Sequence, residues 1–348
     1  MRKKRTYGKI FAAAAALVLL IGAILFGTAL VERIQQGERE KELLVRQEEL
    51  RPSQWTDENT VTLEGKLYGY DHRIETFLFV GTDLGGNSDP ADYRGAMADF
   101  LLLMVLDHTD NTYGYLQIDR NTITDVKELD MNGQEITSRD LQICTAHWYG
   151  RNPEMAAENT VDAVRGYLGG LAQIDGYYVL NVEDAGKLNS AVDGVEVTIE
   201  DDLSALDPEM TKGKTLVLSD EQARLFLQAR QNVGDGTNAE RMARQRQYMA
   251  AFFRKVKEKT RENPEFGLEV WNRLKDAGRT DMKGNDFSRI AKKILKGEDK
   301  GIRTVKGQMV LGTVLEDGKL HEEFYADGES LMNTMKDLFS LREIEKNQ

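Results

Sequence analysis

One cysteine, Cys144, in 348 residues leaves no intrachain disulfide possible. Four histidines, His72, His108, His147 and His321, show no metal-ligand spacing, so each reads as a surface or packed side chain. There is no Walker loop, no His-Glu-x-x-His and no Gly-x-Ser-x-Gly. Gly234-Asp-Gly-Thr-Asn-Ala239 superficially fits a dinucleotide fingerprint, but it follows a helical pattern rather than a strand and fails its context test. Positive charge is outnumbered, 46 Lys and Arg against 58 Asp and Glu. The formal net charge is −12, and such a surface argues against nucleic acid, which needs a basic footprint. It suits an anionic substrate only if cations are concentrated locally.

Long apolar runs are absent with one exception. Ile10 to Val31 runs for 22 residues without a charge, after a start holding Arg2, Lys3, Lys4, Arg5 and Lys9 and no acid. At ~1.5 Å per residue this length spans a hydrocarbon core of about 30 Å. The positive flank predicts a single-pass cell-membrane protein with its N-terminus inside and the C-terminal domain extracytoplasmic. A cleaved signal peptide would carry an apolar region of roughly 7–15 residues before a small-residue site. This run is longer, and Thr28 to Glu32 make a poor site. Removing the five inner cations from −12 leaves −17 outside. An outward domain without disulfides fits a Gram-positive-type or anaerobic bacterial surface better than a eukaryotic secretory route.

The implied organisation is a cytoplasmic tail at 1–9, an anchor at 10–31, a stalk and linker at 32–74, an extracytoplasmic domain at 75–340, and a tail at 341–348. Glu32 to Arg51 is dense in charge and reads as a solvated helical stalk. Residues 53–74 read as linker or an added strand. Thr76–Val80, Leu101–Leu106 and Thr112–Ile118 are buried-strand patterns. Asn152-Pro153 opens a helix. Ile174–Val182 reads as a strand, Glu183–Val192 as a helix and Val195–Ile199 as a strand. Ser219-Asp-Glu-Gln222 is a capping box opening a helix towards Arg230. Asn238 is placed to cap a long helix to about Glu262, which Asn263-Pro264 stops. Two more helices fall near Asp286–Leu295 and Gly328–Leu338, with a strand pair near Arg303–Val305 and Gln308–Val314 between them. Alternating strands and helices predict one α/β domain of αβα type, a central mixed sheet flanked by helices.

Polar residues collect at the ends of these apolar runs. Asp83 follows the first strand, Asp99 precedes Leu101, and Arg120 follows Ile118. Arg230 ends one helix, and Arg241, Arg244 and Gln245 share a face in the first two turns of the next. A Gly-rich loop, a helix N-terminus and arginines together make an anion site fit for phosphate. Two carboxylates at strand ends suit a hard cation such as Mg²⁺ that bridges to substrate phosphates. Singly, each feature is more often a turn former or a solvated face.

The run Thr76–Asp83 (TFLFVGTD), Ala98-Asp99, Ile118-Asp-Arg120-Asn-Thr122 and Gln142-Ile-Cys-Thr-Ala-His147 continues through Glu158-Asn-Thr-Val161 and Ile174-Asp-Gly-Tyr-Tyr178. Ala191-Val-Asp-Gly-Val-Glu-Val197 and Asp235–Gln245 (DGTNAERMARQ) complete it. In this order the matches resemble the LytR–CpsA–Psr family, in a form common in clostridia, over roughly 75–315. The resemblance implies a phosphotransferase that moves a glycopolymer from a polyprenyl-pyrophosphate carrier to peptidoglycan, usually with Mg²⁺. A muramic acid 6-hydroxyl attacks the sugar-side phosphorus and polyprenyl phosphate leaves. Carried over by motif, Asp83 and Asp99 match the metal and catalytic aspartates. Arg120, Arg230, Arg241 and Gln245 match pyrophosphate-binding residues, and Arg244 matches a motif arginine.

Three positions depart from the pattern. Met97 stands where an arginine is common, although clostridial relatives often lack it. Gln228-Ala-Arg230 replaces Arg-x-Arg, leaving Gln228 in the pyrophosphate-binding set without a charge. Asp119-Arg120-Asn121 replaces Pro-Arg-Asp. The site thus has up to two fewer cations, each charge-assisted bond being worth about 1.5–3 kcal/mol, with Arg94 a candidate replacement. The implied partners are the lipid-linked glycan, peptidoglycan and the cytoplasmic membrane. Besides an active ligase, the sequence admits a polyprenyl-phosphate or wall-polymer binding module with little turnover, or a scaffold without a lipid site. An apolar channel beside the aspartates is expected of the first two; Leu101–Leu106 and Tyr177–Val182 could wall it, though each reads at least as well as ordinary core.

Overall fold

The computed structural model describes residues 73–83 and 95–343 apart from 172, 231 and 232. It also describes the strands β1 (Trp55–Asp57), β2 (Thr60–Leu63) and β3 (Lys66–Gly69), and the isolated positions 34 and 38. The apolar run 10–31, His72 and Arg94 lie outside the described residues, as does nearly all of the charged stretch 32–51. Among the described residues no helix is long and apolar enough to cross a membrane. The chain divides into residues 1–49 and 50–348, and the described strands all lie in the second unit.

Along the chain come β4 (Ile74–Thr82), β5 (Ala98–Asp107), β6 (Thr112–Ile118), β7 (Ile123–Leu129) and β8 (Glu135–Gln142). Helices α1 (Thr145–Trp148) and α2 (Pro153–Tyr167) precede β9 (Gly176–Asn181), a 3₁₀ turn at Val182–Asp184, and α3 (Ala185–Ala191). Then follow β10 (Glu196–Thr198), β11 (Thr215–Val217), α4 (Asp220–Gln228), α5 (Asn238–Glu262) and α6 (Phe266–Leu274). The remainder is β12 (Arg279–Thr280), α7 (Gly284–Lys296), β13 (Glu298–Arg303), β14 (Gly307–Gly312), β15 (His321–Ala326), α8 (Gly328–Leu338) and β16 (Arg342–Glu343).

The centre is a six-stranded sheet in the order β12-β9-β4-β5-β6-β13. It is mixed: β4 runs parallel to β9 and antiparallel to β5, and β6 runs parallel to β13. Side chains alternate across a strand, so Leu102, Met104 and Leu106 join one core while Leu101, Leu103 and Val105 join another. The first core is covered by α5, α6 and α7, and the second by α2 and α8. Burial on both faces explains why β5 reads as an unbroken apolar run. The αβα architecture is as the alternation of elements implies.

Local signals hold at several boundaries. Asn152 caps α2 with Pro153 at its first position, and Ser219 and Gln222 form the capping box of α4. Other expectations are corrected. Thr237, not Asn238, caps α5, accepting from the Glu240 amide. The stretches near Arg303 and Gln308 do not pair with each other. β13 joins the central sheet beside β6, and β14 pairs with β15. Residues 53–74 hold three strands, β1–β3, with β16 pairing on β3. The β7–β8 hairpin and α6 add elements that the sequence patterns do not announce.

Candidate active site

The antiparallel order of β4, β5 and β6 brings the end of β4, the start of β5 and the end of β6 to one edge. At that edge Gly81 pairs with Phe100 while Thr82 pairs with Ala98. Asp99 is therefore the extra residue of a β-bulge, a device that re-aims a side chain and breaks the ladder. A Cβ on Gly81 would lie 3.0 Å from that of Phe100, so glycine permits the close crossing here. Asp83 lies one residue beyond β4. Its amide donates to the Met97 carbonyl at 3.1 Å, and its Oδ1 accepts from the Met97 amide at 3.0 Å.

Asp99 sits between two guanidinium groups. Arg120 Nη1 donates to Oδ1, and Arg241 Nη1 donates to Oδ2 at 2.9 Å. Arg120 also touches Met97 Sδ and Cys144 Sγ through Nη2. Met97 thus packs on the arginine chain rather than adding charge. Among the described residues the buried Nε atoms of both Arg120 and Arg241 have no hydrogen-bond partner. Unsatisfied buried donors are costly and call for an explanation; an anion would satisfy them.

Burial opposes the charge of Arg241 and lowers its pKa, with Asp99 countering and Arg120 and Arg230 adding to the effect. Burial likewise opposes Arg120, but Cys144 and Asp99 outweigh it and the pKa rises. Burial pushes the Cys144 thiol up, so it stays protonated at neutral pH and Asp99 is the group that holds Arg120 charged. Asp119 is raised by burial although it accepts from the Asn121 amide, and Asn238 also donates to it.

An apolar cavity of about 170 Å³ opens beside these groups. Asp83, Asp99, Asn181, Gln228, Arg241 and Gln245 line it with their polar groups. Its walls come from Phe79 on β4, Tyr178 and Leu180 on β9, and Met249, Phe252 and Val256 on α5. Val270, Ile290 and Ile294 on α6 and α7 extend it. Of the two readings open for Leu101–Leu106, channel wall or ordinary core, the core reading holds, and of β5 only Asp99 and Phe100 reach the cavity. A mainly apolar cavity with a few polar groups in its lining suits a ligand of the same two-part character.

The sequence-derived residues divide. Asp83, Asp99, Arg241, Gln245 and Gln228 line one cavity, and Arg120 reaches it through Asp99. Arg230 stands apart, half-exposed, with Nε on the Gly236 carbonyl at 3.1 Å and Nη2 on Glu322 at 3.3 Å. Arg244 is not in the cluster. It is buried, pairs with Asp201 at 2.9 Å and donates to the Phe226 and Ala229 carbonyls that end α4. The helical spacing placed it on the right helix, and α4 draws it away. Gln245 holds the Leu227 carbonyl and accepts from Gln117.

Three neighbours escaped the sequence reading. Asn181 donates to the Asp83 carbonyl, and its position at the end of β9, beside Thr82, was a usable signal. Glu322 meets Arg230 and Asn121 from β15. Arg224 donates to Gln228 Oε1 at 2.7 Å. For a cation, Asp83 and Asp99 offer hard oxygen donors on one cavity. No group of three or more His, Cys, Asp or Glu able to hold a metal occurs among the described residues. Both Asp99 oxygens already accept from Arg120 and Arg241, so a Mg²⁺ at this pair would share Asp99 with the arginines and take its remaining ligands from water and a substrate phosphate.

A family model described as LytR_cpsA_psr matches residues 33–338. No curated protein matches by sequence. Among solved structures, TagV of B. subtilis is 17% identical over 78% of this chain and 98% of its own, with a TM-score of 0.58. The protein gbs0355 of Streptococcus agalactiae is 17% identical over 79% and 91%, with a TM-score of 0.60. TagT, whose structure is described as bound to LI-WTA, is 17% identical over 82% and 97%, with a TM-score of 0.55. At these identities the likeness carries the fold.

Proposed function

The chain belongs to the LytR–CpsA–Psr family, and from that premise we propose that it transfers a glycopolymer from a polyprenyl-pyrophosphate carrier to peptidoglycan. Members of the family attach glycopolymers to the cell wall. One observation carries the reading for this chain. The apolar cavity is lined at its polar groups by Asp83, Asp99 and Arg241, with two buried arginine Nε donors left unmet among the described residues.

The polyprenyl tail takes the apolar cleft between β4, β9 and α5, and the pyrophosphate meets the arginine end. Arg120 and Arg241 are aimed by Asp99 and supply charge-assisted hydrogen bonds to phosphate oxygens. Phosphoryl transfer is largely positioning and neutralisation of charge, so pre-aimed buried cations are what the reaction requires. Asp83, fixed by the Met97 amide, is placed to accept the proton of the attacking hydroxyl. Asp83 and Asp99 would hold a Mg²⁺, which would add to the neutralisation of phosphate charge.

The test is turnover by the purified protein on a polyprenyl-pyrophosphate glycan, peptidoglycan and Mg²⁺. Wild type is expected to transfer glycan, and Asp83→Ala is expected to lose transfer by at least about 100-fold, the scale of one acid–base group. Equal rates for the two sink the proposal. A second reading, a binding module, draws on the neutral Gln228 at the cavity. It expects polyprenyl-phosphate binding with no transfer by the wild type.

A further inference from the structure

Gln228 lies on the cavity, where an amide can present either its oxygen or its nitrogen. The last two turns of α4 decide which. Arg224, one turn earlier on the same face, donates from Nη1 to Gln228 Oε1 at 2.7 Å. A guanidinium has no acceptor, so the amide nitrogen cannot occupy that position. With the oxygen held, the two N–H groups of Gln228 are left for the cavity, and among the described residues nothing else takes them.

Arg224 is not itself a substitute cation at the cavity. Glu221 holds its Nε at 2.9 Å and its Nη2 at 2.5 Å, and Glu183 lies 3.5 Å from Nη1. Those bonds raise its pKa, led by the one to Glu221. Its charge is spent locally, and its effect on the cavity passes through the amide it orients.

We infer that Arg224 is a positioning residue that locks Gln228 as a hydrogen-bond donor to the oxygens of an anionic headgroup in this cavity. The pair thereby favours a phosphorylated lipid over the corresponding neutral alcohol. The inference rests on the proposed lipid-phosphate reading and assigns one source of its headgroup preference.

The experiment uses the full chain in detergent micelles and measures binding of a polyprenyl monophosphate and of the uncharged polyprenol of equal length. Arg224→Leu and Gln228→Leu are each expected to weaken phosphate binding about fivefold, the scale of a single net hydrogen bond, with polyprenol binding unchanged. Because the residues act as a unit, the double variant loses no more than either single one. Arg224→Lys, which still donates to Oε1, retains phosphate binding. Should Arg224→Leu not fold, Arg224→Gln removes the fixed polarity with a smaller change and carries the same expectation. Unchanged phosphate affinity in Arg224→Leu or Arg224→Gln, equal loss of both ligands, or additive losses in the double variant overturns the inference while leaving the lipid-phosphate reading standing. A wild type that binds polyprenyl monophosphate no better than polyprenol overturns both.

Discussion

Asp99 compensates two buried cations at once, so its removal is expected to cost more than an ordinary surface acid. Side-chain exposure is 7% for Arg241 and 17% for Arg120. Breaking a buried pair by deleting one partner typically costs about 3–5 kcal/mol, and the partial exposure of Arg120 places Asp99→Ala at the lower end. Urea denaturation reads the loss directly. Added pyrophosphate is expected to restore part of it, because the anion offers the arginines the partner they have lost. An unchanged midpoint would contradict a carboxylate shared between two buried guanidinium groups. Arg244 and Arg230 separate on the same measure. Arg244→Ala leaves Asp201 and two helix-end carbonyls without their donor and is expected to cost about 3–5 kcal/mol. Arg230→Ala breaks one half-exposed pair outside the cavity and should change stability by less than about 1 kcal/mol. Urea midpoints of both variants check this.

At the scale of elements, α1 packs against α2 through a histidine that burial holds neutral. His147 is buried, its pKa is pushed down to about 4, and its Nδ1 meets Thr160 Oγ1 at 3.1 Å. The Thr160 hydroxyl donates to the Ala156 carbonyl, so at this contact it accepts from the ring. Between the unfolded value of about 6.5 and the folded value near 4, the unfolded chain binds the extra proton. Stability is therefore full above pH 6.5 and falls as pH drops towards 4, by about 3 kcal/mol for this group. His147→Asn is expected to flatten that part of the stability–pH curve, measured by denaturant titration from pH 7 to 4. How far these elements could be read from sequence followed where their partners lie. β4, β5 and β6 are buried on both faces and announce themselves as apolar runs, and the α4 capping box is local. β8 is polar and exposed over most of its length, so it lacks an apolar alternation. α6 begins directly after the Asn263-Pro264 stop and was hidden by it. β13 pairs with a strand almost 190 residues earlier, information no local window contains. The site follows the same rule. Strand-end acids were visible, whereas the choice of Arg244 between the cavity and Asp201 is made by a contact 43 residues away.

At the scale of the whole molecule, the proposed reaction, with a lipid-carried donor and a wall acceptor, would require the cavity to face outward from the membrane that holds the donor. Tethering through residues 10–31 would raise the effective concentration of donor at the site, and the charged stretch 32–51 would set the reach between bilayer and wall. This topology can be tested with thiols because the one native cysteine is buried. In a Cys144→Ser background, Ile136→Cys places a thiol on the exposed β8 edge, where the native residue is 65% exposed. Thr6→Cys places one among the N-terminal cations. A membrane-impermeant maleimide applied to intact cells is expected to label Ile136→Cys and to reach Thr6→Cys only after permeabilisation. The reverse pattern would put the cavity on the cytoplasmic side, away from peptidoglycan. It would exclude wall attachment whatever the geometry around Asp83 and Asp99 permits.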